Sequence, residues 1–353
     1  MRAFSIAAML LLAACGHVVP ASLTGTPGPF DFKKPGCTAH LDTDDTKVEV
    51  RYLGSGGLYV RWRNEAILVG PQFSNPGLLS AQFGRAHFDE PRIRAAIREL
   101  GAVPVRAILV GHSHYDHIGD LPIVALEPNV EKARIYVNAT GDKLLNAYPD
   151  LQSRATIMQA GDAFELSPSF RVHVLASAHA PQVCRWPFFP CVYGAGEVPR
   201  AWTTQWNENW LSSFLGGETF AFDIEVRDES GTRFRIYYND ASASTPAGQT
   251  TGDFDLAVLT LPQWNYVRDY PRDLLRVLHP KHVLVSHWDN FFRRDDEQYR
   301  YVPNLSNRSA AGFLRVVQAE VSGGWAPVNE VCGVKTERFT MAVPRSVLLF
   351  KGR

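Results

Sequence analysis

The sequence predicts an α/β domain in which two mixed β-sheets pack face to face and helices cover their outer faces, a four-layer αββα sandwich. Three observations predict it. Short apolar runs separated by glycine turns open the domain in hairpin grammar. From about residue 90 onward, helical and strand-like segments alternate. A large core is within reach, because 45% of the 353 residues are hydrophobic and only 20% are charged. That composition excludes a disordered, collagenous or coiled-coil chain. The balance of 36 basic against 36 acidic residues excludes a broad basic surface, so no nucleic-acid partner is expected.

The chain opens with Met1-Arg2, an apolar run from Ala3 to Ala14 broken only by Ser5, and Cys15-Gly16. A bilayer-spanning helix needs roughly 20 apolar residues, so residues 1–14 read as a cleaved signal peptide. Leu12-Ala13-Ala14-Cys15 resembles the bacterial lipoprotein box. The resemblance implies acylation of Cys15, a lipid anchor in a membrane and a place in the bacterial cell envelope, facing the periplasm or the exterior. Residues 15–47 then form a tether, rich in Pro and Gly from Val18 to Gly36, and residues 48–353 form the domain. Four further cysteines allow three pairings in an exported chain. Cys184 with Cys191 would staple one loop, and Cys37 with Cys332 would tie the ends of the domain.

Strands are expected at Val48–Leu53, Leu58–Trp62 and Ala66–Val69, with Gly54-Ser55-Gly56-Gly57 as the first turn. Glu90-Pro91 opens a helix to Leu100, followed by the apolar strand Val105–Val110. Strands follow at Arg134–Val137, Phe170–Leu175, Phe220–Val226, Phe234–Tyr238, Leu256–Leu261 and His282–Ser286, with helices near Asp142–Ala147 and Asp269–Leu278. A helix near Ala310–Ala319 and strands at Phe339–Val343 and Ser346–Phe350 close the domain.

The strand ending at Val110 runs into Gly111-His112-Ser113-His114-Tyr115-Asp116-His117. Histidines and an aspartate so close together cost desolvation when buried unless a cation or hydrogen bonds compensate. Alternation places His112 and His114 on one side, while Asp116 and His117 turn toward a second ion. Gly111 to Tyr115 also approaches a serine nucleophile elbow, but the fifth residue is Tyr115 instead of glycine.

This HxHxDH segment resembles the metallo-β-lactamase superfamily, and the resemblance extends from about Val48 over most of the chain. It implies the fold of that superfamily and a site of two divalent metal ions, zinc being expected. His112, His114 and His179 are then implied on one ion, and Asp116, His117 and His287 on the other. Asp240 is implied between the two ions, orienting the attacking hydroxide and handling a proton. His179, Asp240 and His287 each follow a predicted strand. His173, His279 and His282 lie inside or before their strands and read as surface or core residues, as do the isolated His17, His40 and His87. Asp253 and Asp255 precede a strand and are poorer candidates than Asp240.

Gly54 to Trp62, Trp210 to Glu225, and His287-Trp288 with Phe291 are similar to the branch containing N-acyl-phosphatidylethanolamine-hydrolysing phospholipase D. Two departures stand out. Gly70-Pro71 occupies the place of an expected Asp-Pro, and Asn239-Asp240 that of Gly-Asp. The first removes a carboxylate that would support the ligands. An aromatic insert, residues 181–215, carries Trp202, Trp206 and Trp210 at helical spacing with Phe214. Trp206, Trp210 and Trp288 are candidate substrate contacts, and Arg185 and Arg200 could meet a phosphate. The expected activity is hydrolysis of a phospholipid-like or other phosphodiester by a hydroxide shared between the metals. A lactone, ester or β-lactam hydrolase and a non-catalytic metal-binding envelope lipoprotein are the alternatives.

Overall fold

The computed structural model describes residues 17–24, 45–181, 196–243, 249–250, 252–292, 299–302, 305–321, 323–326, 330–331, 334–335 and 340–353. Cys15, Cys37, Cys184, Cys191 and Cys332, and with them the anchor and the two expected disulfides, lie outside the described residues, as do Arg185 and His40. Two mixed sheets form the body of the domain, and helices accompany them.

The first sheet is built on β1 (Lys47–Gly54), β2 (Gly57–Trp62) and β3 (Glu65–Val69), an antiparallel meander, continued by parallel β4 (Val105–Leu109), β5 (Arg134–Val137) and β6 (Ala155–Ile157). Strand β2 is buried along its whole length, so alternation gives way to the near-continuous apolar run Leu58 to Val60. The second sheet contains β7 (Ala163–Ser167), β8 (Phe170–Ala176), β9 (Phe220–Asp228), β10 (Gly231–Asn239), β11 (Leu256–Thr260) and β12 (His282–Ser286). Late in the chain, β13 (Glu330–Val331), β14 (Val334–Lys335) and β15 (Ser346–Lys351) return to the first sheet, where β15 pairs with β1.

Strand direction positions the site. β8 and β10 both run antiparallel to β9, and β10, β11 and β12 are mutually parallel, so β8, β10 and β12 end at the same edge. The two sheets meet there: Phe220 N donates to Gly111 O (2.8 Å) and Ser113 N to Gly216 O (2.8 Å), joining the loop after β4 to the start of β9.

The helix Glu90–Glu99 begins as expected. Asp89 caps it through Arg92 N, Pro91 sits in its first turn, and Gly101 at φ +85° ends it. Two expectations fail. Among the described residues, Met341–Val343 form no strand; they are buried in an irregular segment whose Met341 N donates to Leu23 O (3.0 Å). The tether also fails over residues 17–24. Val19 N donates to Tyr299 O and Tyr301 N to His17 O, so this stretch is strapped onto the domain.

Candidate metal centre

Each donor side chain is delivered by the end of a strand. β4 hands its chain to His112, and the one-turn helix Tyr115–Ile118 carries Asp116 and His117, both buried. β10 ends at Asn239, whose Oδ1 accepts from Ala241 N (3.0 Å) while its Nδ2 donates to Ser177 Oγ and Ala243 O (both 3.1 Å). The amide thus clasps the turn that presents Asp240, which explains asparagine where glycine was expected. β12 is followed by His287 at φ +57°, a left-handed backbone unusual for histidine. Its N–H donates to Tyr52 Oη (2.9 Å), and the Tyr52 hydroxyl donates to Asp289 Oδ1.

His112, His114 and His179 form one donor group, Asp116, His117 and His287 a second, and His112, His117 and Asp240 a third; within each, the donor atoms lie within 4.8 Å of one another. His112 Nε2 is 3.0 Å from His114 Nδ1, and the His179 ring lies 5.1 and 4.9 Å from the rings of His112 and His114. In the second group, His287 Nε2 is 3.2 Å from His117 Nε2 and from Asp116 Oδ2. Asp240 joins the groups, with Oδ1 3.1 Å from His112 Nδ1 and Oδ2 3.4 Å from His117 Nδ1.

Electrostatics hold these donors in the states that bind a cation. Burial pushes His117 down to about 3 and His179 down to about 4, so both are neutral near pH 7. Burial raises the Asp240 carboxyl, yet the pull of His112 and His117 holds it at about 2. Asp116 is likewise raised by burial, but His117 and His287 outweigh that and hold it well below the usual carboxylate range. His287 moves the other way: burial lowers it, and its hydrogen bond and charge interaction with Asp116 raise it overall. Buried Asp116 Oδ1, His117 Nδ1, Asp240 Oδ2 and His287 Nδ1 have no hydrogen-bond partner among the described residues. Orphaned donors of this kind, mixed imidazole and carboxylate, fit divalent ions of the zinc type.

Residues 63–145, which include the loop from His112 to His117, match the model of the metallo-beta-lactamase superfamily. Two mixed β-sheets with accompanying helices agree with that likeness. Solved structures with a similar fold include the metallo-beta-lactamase fold protein YhfI of Bacillus subtilis, at 13% identity and a TM-score of 0.48, covering 86% of this chain and 99% of that one. A metallo hydrolase of Ignicoccus hospitalis shows 13% identity and a TM-score of 0.46, with 87% and 100% covered. Zinc-bound PqqB of Methylobacterium extorquens shows 12% and 0.44, with 83% and 86% covered. No curated protein matches the chain in sequence.

Around the candidate metal centre, the rival histidines stand apart. His173 is half-buried beside Glu225, His279 is exposed at a helix end, and His282 lies against Phe350. Asp255 pairs with Lys281 and Arg353, and Asp253 is exposed. Arg200 is exposed. The expected tryptophan helix is corrected: residues 206–208 and 211–213 are single 3₁₀ turns. Trp206 is fully buried and its indole donates to Leu144 O (2.9 Å), while Trp202 and Trp206 both pack on Phe214. Trp288 is also fully buried, donating to Ala342 O (3.0 Å). Neither Trp206 nor Trp288 offers a surface to a substrate, because closing an indole into the core with its N–H satisfied leaves nothing to touch. Trp210 is 53% exposed.

Sequence reasoning missed Tyr52 and Asp289, which seat His287, and Asn138. Asn138 Oδ1 accepts from Ser113 Oγ (2.7 Å) and Gly141 N (2.7 Å), and its Nδ2 donates to Gly216 O (2.8 Å) and Glu218 O (2.6 Å). An asparagine directly after an apolar strand and ahead of a helix was the legible signal.

Proposed function

We propose that the protein is a metal-dependent hydrolase that holds two divalent ions, zinc being expected, and cleaves a phosphodiester, with a phospholipid as the favoured substrate class. The observation that carries the metal reading is the set of three converging donor groups, His112/His114/His179, His112/His117/Asp240 and Asp116/His117/His287, in which every donor but the exposed His179 is buried and several oxygens and nitrogens are unpartnered among the described residues.

When bound, two such ions supply Lewis acidity toward a phosphoryl or carbonyl oxygen and make water acidic enough to attack near neutral pH. The chain's own part is positional. His117 and His179 stay neutral to donate lone pairs, Asp116 and Asp240 stay ionised, and Tyr52 pins the His287 backbone. Gly111 and Gly216 bring bare backbone against Asp240 and His114, where a Cβ would stand 2.7 and 3.0 Å from the side chain. A serine nucleophile does not compete. Ser113 is fully buried and its hydroxyl is committed to Asn138. The phospholipid reading draws on the exposed aromatic side chains of Phe83 and Trp210, the latter at the head of the stretch that leads to Gly216 beside His114. The expected acyl anchor at Cys15 belongs to the same reading, in which a membrane supplies the substrate.

Elemental analysis of the purified protein, combined with turnover of phosphodiester, lactone and β-lactam probes, tests this. The expected result is close to two ions per chain and phosphodiester cleavage that a chelator abolishes. Full turnover in metal-free protein would refute the metal reading. Cleavage of lactone or β-lactam alone would replace the assigned bond and keep the centre. In the same assay His114→Ala loses activity and metal content together.

A further inference from the structure

Ser55, in the turn between β1 and β2, and His287, after β12, both hold a left-handed backbone, at φ +47° and +57°. A side chain makes that conformation costly, so each persists only where its surroundings hold it. One carboxylate reaches both. Asp289 Oδ2 accepts from Ser55 N (3.1 Å), and Asp289 Oδ1 accepts from the Tyr52 hydroxyl, whose oxygen in turn accepts from His287 N (2.9 Å). Tyr52, Ser55 and Asp289 are all buried.

The turn that Ser55 belongs to lies against the donors. A Cβ built on Gly56 would meet His117 Cε1 at 3.4 Å, His287 Cδ2 at 3.5 Å and Asp240 Cβ at 3.7 Å, so this backbone borders three donors that come from three different elements. From the β10 side the turn is held by Tyr238, whose hydroxyl donates to Gly56 O (3.0 Å). Asp289 holds it from the β12 side, and Asp289 is itself fixed. Its backbone pairs with Tyr301 in a short ribbon, where Asn290 N donates to Arg300 O and Val302 N to Trp288 O (both 2.9 Å). Tyr301 N donates in turn to His17 O (2.9 Å), which adds the strapped N-terminal stretch to the ribbon.

We propose that Asp289 is a positioning residue for the metal position formed by Asp116, His117 and His287. Through Tyr52 it fixes the backbone that aims the His287 imidazole, and through Ser55 it clamps the turn between β1 and β2 against the same donors. Groups behind a ligand set its orientation and thereby its affinity for the ion. The inference rests on the two-ion reading of the centre and keeps Asp240 between the two positions. Among the described residues, the side-chain hydrogen bonds of Asp289 and Tyr52 run to His287 and the turn, and none runs to His112, His114 or His179. Loss of Asp289 therefore acts on one metal position and spares the other.

Zinc titration of the full-length metal-free protein against a chelating dye tests this. Asp289→Ala is expected to bind one zinc equivalent within about threefold of wild type and the other about 10- to 100-fold more weakly. Tyr52→Phe keeps the ring, removes the shared hydroxyl and is expected to weaken the same equivalent. Because both residues act through one chain of hydrogen bonds, the double variant should lose less than the product of the two single losses. Long-range proton–nitrogen NMR identifies the position. At subsaturating zinc the imidazole signals of His287 and His117 should leave their zinc-bound positions in either variant, while those of His114 and His179 keep theirs. A merely structural role would lower the melting temperature of the metal-free protein and leave both zinc affinities of the folded protein unchanged. That result would overturn the proposal, as would equal weakening of both equivalents or single losses that multiply. Should Asp289→Ala fail to fold, the near-isosteric Tyr52→Phe decides the matter by the same two readouts. Wild-type protein that binds no zinc at all would instead refute the metal centre itself.

Discussion

At Gly111 the absence of a side chain is a functional requirement, since an added methyl would stand within 2.9 Å of the Asp240 carboxylate. Gly111→Ala is expected to displace that carboxylate and weaken zinc binding about tenfold or more, read by zinc titration, with a melting temperature close to wild type. The tryptophans separate just as sharply by environment. Trp206→Ala empties a fully buried site and unpairs Leu144 O, and is expected to cost about 3–5 kcal/mol in urea denaturation. Trp210→Ala, at an exposed position, is expected to stay within about 0.5 kcal/mol of wild type. Residue identity announced the metal donors, because histidine and aspartate in close sequence have few other uses. It could not separate Trp206 from Trp210, since a spacing of four implies a shared face only if the backbone is helical.

Among the elements, strands that end in donors were the most legible. β4, β8, β10 and β12 fall within a few residues of their expected bounds, because apolar runs bounded by polar or glycine positions have little alternative. The loop between β3 and the helix Glu90–Glu99 was opaque. It is tied by Asp120, whose Oδ2 accepts from Phe73 N (2.6 Å) and Ser74 N (2.7 Å) while Gln72 Oε1 accepts from Asp120 N. Burial pushes the Asp120 carboxyl up to about 6 despite those bonds. Asp120→Ala leaves two buried N–H groups unpaired and is expected to cost about 2 kcal/mol or more in the same denaturation assay. A loss below about 0.5 kcal/mol would show that the loop is held by other means. The short strands β6, β7, β13 and β14 were missed for a simpler reason. Segments of two to five residues carry too little pattern to stand out.

On the scale of the whole molecule, the centre sits where the two sheets meet, so its protonation is coupled to folding. His117 and His179 stay neutral in the folded protein down to about 3 and 4, whereas in the unfolded chain they take up protons from about 6.5 downward. The unfolded state therefore binds more protons as pH falls, so metal-free stability is expected to drop from about pH 6.5, and to go on falling below about pH 4 as the lowered Asp116 and Asp240 carboxyls lose their contribution. His287, raised above its ordinary value, opposes part of this with a contribution that is present at low pH and lost as pH rises. Asp120, raised to about 6, opposes it as well between about pH 6 and 4. Urea denaturation of metal-free protein at pH 7, 5.5 and 4.5 measures the trend, and stability that is flat or rises toward pH 4.5 would contradict it. Zinc added at pH 7 is expected to raise the melting temperature by binding only the folded state.

What the sequence determined by itself was the fold class and the chemical character of the centre. Periodic apolar runs specify strands and helices locally, and clustered histidine and aspartate cannot be buried without compensation. What only the tertiary structure decided was how distant positions face one another. It set Tyr52 and Asp289 under His287, closed Trp206 and Trp288 into the core, and placed Asp240 against the Nδ1 sides of His112 and His117. Those outcomes depend on strand direction and packing, which no local pattern encodes because the partners lie more than fifty residues apart in sequence.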